Sequence, residues 1–276
     1  MNDALRQCIA YGWGTTDLNR FPGPQPISIE RRHFPLLKSQ QYLVCEKSDG
    51  VRNMLVCFHF EGKKYCLLVD RMFNYTFTTL SVPIGTILDG ELIDGVFMVF
   101  DAIMIKGQDV KQKPLTERLF LAKKLCSVIL PTKGNVRLKV KQMLPLERAY
   151  EIDVVEGLIF TPVNEPVRTG THETCFKWKP KHLNTIDFAA RPDGTITCLW
   201  IQNESIMPLT RVNAQGKDPK EYEGKIVECE YGKNGWSVLK IRTDKDHPNN
   251  KRTYDRTLVN IRENIQLEEL FVYIAK

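Results

Sequence analysis

The sequence predicts an α+β fold in two parts: a larger region of antiparallel sheets with a few helices, then a small β-barrel. Three observations carry that reading. First, runs rich in β-branched and aromatic residues come in pairs joined by short turns, the pattern of hairpins. Met54 to Phe60 pairs with Tyr65 to Asp70 across Glu61-Gly62-Lys63-Lys64, and Thr86 to Ile93 with Val96 to Ile105 across Asp94-Gly95. Second, between Pro114 and Leu130 the residues Leu115, Leu119, Ala122, Leu125, Cys126 and Ile129 recur at helical spacing, with Lys123 and Lys124 left towards solvent. Third, after Pro180 the texture changes to short strands at Thr185 to Ala190, Thr195 to Gln202, Lys225 to Tyr231 and Trp236 to Arg242, broken by polar turns. Such a series suggests a five-stranded barrel of the OB type.

Taken in order, residues 2–10 suit a short helix. Phe21 to Pro26 must be extended, because each proline fixes its own φ and disfavours helix in the residue before it, and this stretch reads as a connector. Ile27 to Arg32 leads to the first strand, Tyr42 to Glu46. Arg71 follows the first hairpin; its default reading is a solvated surface residue, and the functional alternative is a grip on sugar or phosphate oxygens. Asp89, Glu91 and Asp101 lie inside apolar strands, where a carboxylate is costly unless paired, hydrogen-bonded or bound to metal. Phe100 either packs in the core or stacks on a flat base. Val136 to Gln142 alternates with Arg137, Lys139 and Lys141 on one face, and Pro145 to Ile152 starts like a helix with proline in its first turn. Glu156-Gly157 opens another strand. In Cys175 to Pro180, Lys177 and Lys179 must share a face, either as an exposed basic edge or as a paired grip on an anion. Thr253 to Ile274 is helix-like and is expected to pack back on the larger domain.

With 276 residues and 42% hydrophobic content the chain can bury a sizeable core, most simply as two domains. A formal charge of +6 fits a polyanionic ligand such as a nucleotide or RNA. The eight cysteines form no Cys-x-x-Cys pair, and several sit in apolar runs, as reduced core residues of an intracellular protein do. No basic-then-apolar leader and no run near the roughly 18 apolar residues of a membrane span is present, so a soluble protein is expected.

The stretch that organises the rest is Glu46-Lys47-Ser48-Asp49-Gly50-Val51-Arg52, placed at the end of the first strand, where a sheet can aim a side chain. By itself it reads as a surface turn. The functional alternative is that Lys47, once relieved of its proton, attacks the α-phosphorus of a nucleoside triphosphate and carries the nucleotide as a phosphoramidate. Gly50 would let the backbone pass close to a ligand, Asp49 would receive hydrogen bonds that fix the turn, and Arg52 would reach nucleotide oxygens.

In this order these stretches resemble the covalent nucleotidyltransferase superfamily, which comprises messenger-RNA capping guanylyltransferases and polynucleotide ligases. The likeness is to capping enzymes, above all the standalone kind of large DNA viruses. It is carried by Phe21 to Glu30, Lys177-Trp-Lys-Pro-Lys-His-Leu-Asn-Thr-Ile-Asp-Phe188 and Trp236-x5-Arg242-x-Asp244-Lys245-x2-Pro248-Asn249. The resemblance implies a nucleotidyltransferase domain over residues 1–182, joined by the closing helix 266–276, and an OB-fold domain over 183–265, with a hinge near Pro180 to Asn184. It implies that Lys47 takes GMP from GTP and that Glu46, Arg52, Arg71, Asp89 and Glu91 belong to the nucleotide site. Phe100 would stack on guanine and Lys141 read its edge. Lys177 and Lys179 would hold the α-phosphate, and Arg242, Asp244 and Lys245 the β- and γ-phosphates. Glu156 stands where capping enzymes usually have aspartate, and is the candidate ligand for Mg²⁺ or Mn²⁺. The acceptor would be the 5′-diphosphate end of RNA. A monomer is expected, in the nucleus or cytoplasm, or in a viral factory or virion if viral. Glu228-Cys229-Glu230 is too little for a triphosphatase and no methyl-donor loop is present, so both of those activities are expected from separate proteins. The alternatives are an ATP-dependent polynucleotide ligase and a catalytically silent nucleic-acid-binding subunit.

Overall fold

The computed structural model describes all residues of the chain except 130–133, 135, 192–194, 200–205, 212–217, 244 and 246. The chain divides into two compact units, Met1–Ile27 with Pro35–Lys177, and Ser28–Phe34 with Trp178–Lys276.

The first part of the chain carries helix α1 (Asn2–Trp13), strand β1 (Gln25–Ser28), helix α2 (Phe34–Ser39) and strands β2 (Tyr42–Glu46), β3 (Val51–Phe60) and β4 (Lys63–Asp70). There follow β5 (Tyr75–Phe77), β6 (Thr86–Ile93), β7 (Val96–Ile105), β8 (Gln108–Asp109), helix α3 (Leu115–Ser127), β9 (Arg137–Val140), β10 (Leu144–Pro145), β11 (Leu158–Pro162) and β12 (Thr171–Trp178). Among the described residues one sheet runs β5-β4-β3-β6-β7-β8, with β9 parallel to β7, and a second runs β1-β12-β11-β2-β10. The larger sheet is covered on both faces, which explains why its strands read as nearly unbroken apolar runs. Alternate residues point to opposite sides. Leu55 and Cys57 of β3 join the core beneath α3, while Met54, Val56 and Phe58 pack with Leu5, Ile9 and Trp13 of α1.

Two departures from the predicted pattern shape the site. In the β6–β7 ladder Asp89 faces Asp101 and Gly90 faces Val99, which leaves Phe100 as the extra residue of a bulge. Phe100 and Asp101 therefore both line one cavity, where a regular strand would turn them to opposite faces. The predicted connector also differs: its end, Gln25–Ser28, adds β1 to the edge of the smaller sheet beside β12. An edge strand tolerates the proline at 26 because it has an unpaired side.

The second unit holds β13 (Ile186–Ala190), β14 (Thr195–Leu199), β15 (Ile206–Arg211), β16 (Ile226–Gly232), β17 (Gly235–Ile241) and helices α4 (Lys251–Glu263) and α5 (Leu267–Ala275). Its antiparallel sheet runs β15-β14-β13-β16-β17 among the described residues, an OB-like unit. Phe188, Trp236, Val227 and Cys229 fill its core, closed by Ile261 of α4. The long helix expected near the C-terminus is two helices, because Asn264 takes a left-handed φ of 43° and ends α4. The second of these clusters with the second unit. There it packs on the 28–34 segment, with the Phe34 and Tyr273 rings 5.0 Å apart and Arg31 bidentate to Glu269 at 2.6 and 2.9 Å.

Candidate active site

β2 lies between β11 and β10, and its last residue, Glu46, pairs with Leu158. The ladder continues one residue further, where the Lys47 backbone N–H donates to the Gly157 carbonyl at 2.8 Å. The lysine thus leaves a central strand from a fixed backbone. Its Nζ donates to Glu156 Oε2 at 2.7 Å, so the residue expected to hold a metal is also the lysine's ion-pair partner. Lys141 lies just past the end of β9 and is buried, unlike the exposed Arg137 and Lys139 of the same predicted face. Its Nζ donates to Ser48 Oγ at 2.8 Å, and Ser48 donates to Glu46 Oε2 at 2.8 Å. A chain of two hydrogen bonds therefore ties the deep lysine to the end of β2.

Arg52 is held from several sides. Its guanidinium is bidentate to Asp89, at 3.1 and 2.6 Å, donates to the Pro24 carbonyl at 2.6 Å, and stands 5.3 Å from both the Phe21 and Phe100 ring centroids. Gly23 is what makes room: a Cβ there would come within 2.6 Å of Arg52 Nη2 and 2.5 Å of the Phe21 ring. Asp89 is completely buried; burial pushes its carboxyl above the ordinary range, and Arg52 pulls it back. Gly50 serves a close approach of a different kind from the one expected, since a Cβ would lie 2.7 Å from Glu91 Cγ and 2.8 Å from the Leu92 carbonyl oxygen. Asp49 is exposed and takes no hydrogen bond among the described residues. Burial raises the Glu91 carboxyl, opposed by Lys141 and Lys47.

These side chains border a cavity of about 270 Å³ in the first unit, whose lining includes Lys47, Arg52, Arg71, Glu91, Phe100, Lys141 and Lys177. Arg71 also donates to Gln25 Oε1 at 3.2 Å. Of the remaining predicted residues, Asp89 and Glu46 support Arg52 and Ser48 from behind the lining. Lys179 lies past the end of β12, in the second unit. In that unit Arg242 Nη1 donates to Asp187 Oδ1 at 3.0 Å, and Lys245 donates to Asp187 Oδ2. Asp244 is outside the described residues.

The sequence reading missed Asp187, Arg118, Glu165 and His172 as site residues. Asp187 is an acidic residue within an apolar strand, the same signal that drew attention to Asp89. Arg118, at the inner-face spacing of α3, is buried and bidentate to Asp101 at 2.7 and 3.0 Å. The thiols in the lining are poor nucleophiles, since burial pushes Cys45 up to about 11 and Cys175 up to about 12.

Among the described residues no group of three or more His, Cys, Asp or Glu gathers as for a metal ion, and no helix is long and apolar enough to cross a membrane. Mg²⁺ needs only one or two carboxylates when substrate phosphates complete its shell. The carboxylate of Glu156 beside Lys47 fits that demand. A cavity lined by six arginine and lysine side chains, an aromatic ring and a strand-end amine suits a nucleotide, and with the antiparallel α+β unit and the OB-like unit it defines a nucleotidyltransferase.

Comparison with known proteins narrows the class. The profile described as "mRNA capping enzyme, catalytic domain" matches residues 2–181, and that described as "mRNA capping enzyme, C-terminal domain" matches residues 163–271. The chain belongs to the mRNA capping enzyme family. It is 28% identical to the mRNA-capping enzyme subunit alpha of Schizosaccharomyces pombe, over 96% of this chain and 82% of that protein. It is likewise 28% identical to the mRNA-capping enzyme subunit alpha of Neurospora crassa, over 97% and 87%. The mRNA-capping enzyme of Danio rerio is 27% identical over the whole of this chain, which spans about half, 53%, of that protein.

Proposed function

We propose that this chain is a GTP:RNA guanylyltransferase that works through a lysyl-GMP intermediate. The observation that carries the reading is Lys47, fixed by a central strand at a cationic cavity with a carboxylate 2.7 Å from its amine. In the first step the Lys47 amine, having lost its proton, attacks the α-phosphorus. The N–P bond forms, the bond to the β-phosphate's bridging oxygen breaks, and pyrophosphate leaves. In the second, an oxygen of the 5′-diphosphate end of RNA attacks the same phosphorus, and the lysine nitrogen leaves and regains a proton. Phe100 stacks on the guanine and Lys141 donates to its edge. Arg52, Arg71 and Glu91 hold the ribose, and Lys177 and Lys179 hold the α-phosphate. The leaving phosphates fall to Arg242, Asp244 and Lys245, with the division of labour near residue 182 and a hinge at Pro180 to Asn184. Mg²⁺ or Mn²⁺ at Glu156 would screen phosphate charge. Separate proteins supply the RNA triphosphatase and the cap methyltransferase, and this chain acts as a soluble intracellular monomer.

The test is incubation of the protein with α-³²P-labelled GTP or ATP and Mg²⁺, followed by a denaturing gel. Label from GTP, lost in acid and kept in base as a phosphoramidate should be, is the expected result. Label from ATP alone would make the chain a ligase-type enzyme, and label from neither would remove the covalent mechanism.

A further inference from the structure

Glu165, Arg168 and His172, a polar group with no place in the transfer steps, line the same cavity as Phe100. Three donors converge on one oxygen of the Glu165 carboxylate: Thr174 Oγ1 at 2.8 Å, Arg168 Nε at 3.1 Å and His172 Nε2 at 3.3 Å, all to Oε2. Oε1 takes no hydrogen bond among the described residues. The side chain is only 16% exposed. Burial opposes its ionisation, but the Thr174, His172 and Arg168 contacts win and hold it below the usual carboxylate range.

Its backbone is fixed as firmly. Arg118 Nη1 donates to the Glu165 carbonyl at 3.3 Å while the same guanidinium clamps Asp101, the residue after Phe100. Val163 accepts from Leu115 N–H at 2.8 Å, and Val167 N–H donates to the Lys111 carbonyl at 2.9 Å. A rigid, ionised acceptor is thereby tied through one arginine to the strand that carries the stacking ring.

We propose that Glu165 is the group that selects guanine, its Oε1 accepting from the ring N1–H and 2-amino edge of the base stacked on Phe100. This rests on the guanylyltransferase reading. Guanine presents two adjacent donors on that edge, whereas adenine presents a ring acceptor there and no 2-amino group. The other cavity carboxylates are otherwise engaged. Asp101 gives both oxygens to Arg118 and one also to the Ala102 N–H, and Glu91 faces Lys47 and Lys141 and accepts from the Gly50 backbone. A site built to bond a polar group rejects the analogue that lacks it, because its buried partner is left unsatisfied.

The experiment compares the initial rate of adduct formation from GTP and from inosine triphosphate, which differs only in lacking the 2-amino group. In the unaltered protein GTP should be favoured roughly 10- to 100-fold. Glu165→Gln, whose amide turns an NH₂ towards the donors of the base, should bring the two rates to within about threefold. Thr174→Val, which loosens the carboxylate without removing it, should narrow the ratio less. Equal use of the two nucleotides by the unaltered protein would overturn the proposal without any variant having to fold. So would an unchanged ratio in a Glu165→Gln protein that melts normally. Absence of an adduct from any nucleotide is a distinct result: it defeats the guanylyltransferase reading, and this proposal with it.

Discussion

Two buried aspartates, one in each unit, hold the cations assigned to the nucleotide, and they do so differently. Asp89 is completely buried and serves a single arginine, Arg52, whose side chain is 10% exposed and braced by two aromatic rings and the Pro24 carbonyl. Asp187 is nearly as buried but is shared by Arg242 and Lys245, whose side chains are 21% and 36% exposed. Arg242 also lies 3.6 Å from Glu228, which pairs with Lys240 at 3.2 Å. A one-to-one pair aims its arginine and leaves it little freedom. A carboxylate shared by two more exposed cations holds each of them less tightly. The first arrangement suits a part of the substrate that must stay put, and the second a part that arrives and leaves.

Breaking each aspartate tests that contrast. Asp89→Asn leaves a desolvated guanidinium without its counter-charge and should cost about 3–5 kcal/mol in urea unfolding. Asp187→Asn should cost less, about 1–2 kcal/mol, because water reaches both of its partners. Equal losses would remove the distinction between a braced and a shared pair.

The smallest effect concerns pH. Burial lowers the basicity of His172, only partly opposed by its contact with Glu165. The unfolded chain therefore takes up this proton more readily than the folded one, and stability falls as pH drops through the ordinary histidine range towards the lower folded value. His172→Asn should flatten the decline in melting temperature between about pH 7 and 5, and a decline as steep as the parent's would sink this assignment. Asn is preferred to a hydrophobic replacement because its amide can still donate to Glu165.

Much of this was legible from local pattern. β2, β6 and β7 begin and end where alternation and turn residues place them. β15 was not, because Pro208 inside an apolar run argues against a strand, and only the strand's position at the sheet edge makes it acceptable. The Phe100 bulge was hidden too, since alternation assumes one residue per rung. Lys47 announced itself through the motifs that follow it. Its partner Glu156, 109 positions away, needed the β2–β11 pairing to bring the two together. Asp187 and Arg118 were within reach of the rules already applied: one is an acid in an apolar strand, the other a cation on a helix's inner face. The 28–34 segment's clustering with the second unit has no local signal at all.

The most direct test of the account is to locate the adduct. After reaction with GTP and Mg²⁺ in base-stable conditions, peptide mass spectrometry should place one guanylyl group on Lys47, and Lys47→Arg, which keeps the charge and the Glu156 contact, should carry none. A guanylyl group on Lys141 or Lys177, or a Lys47→Arg protein that still becomes labelled, would contradict it.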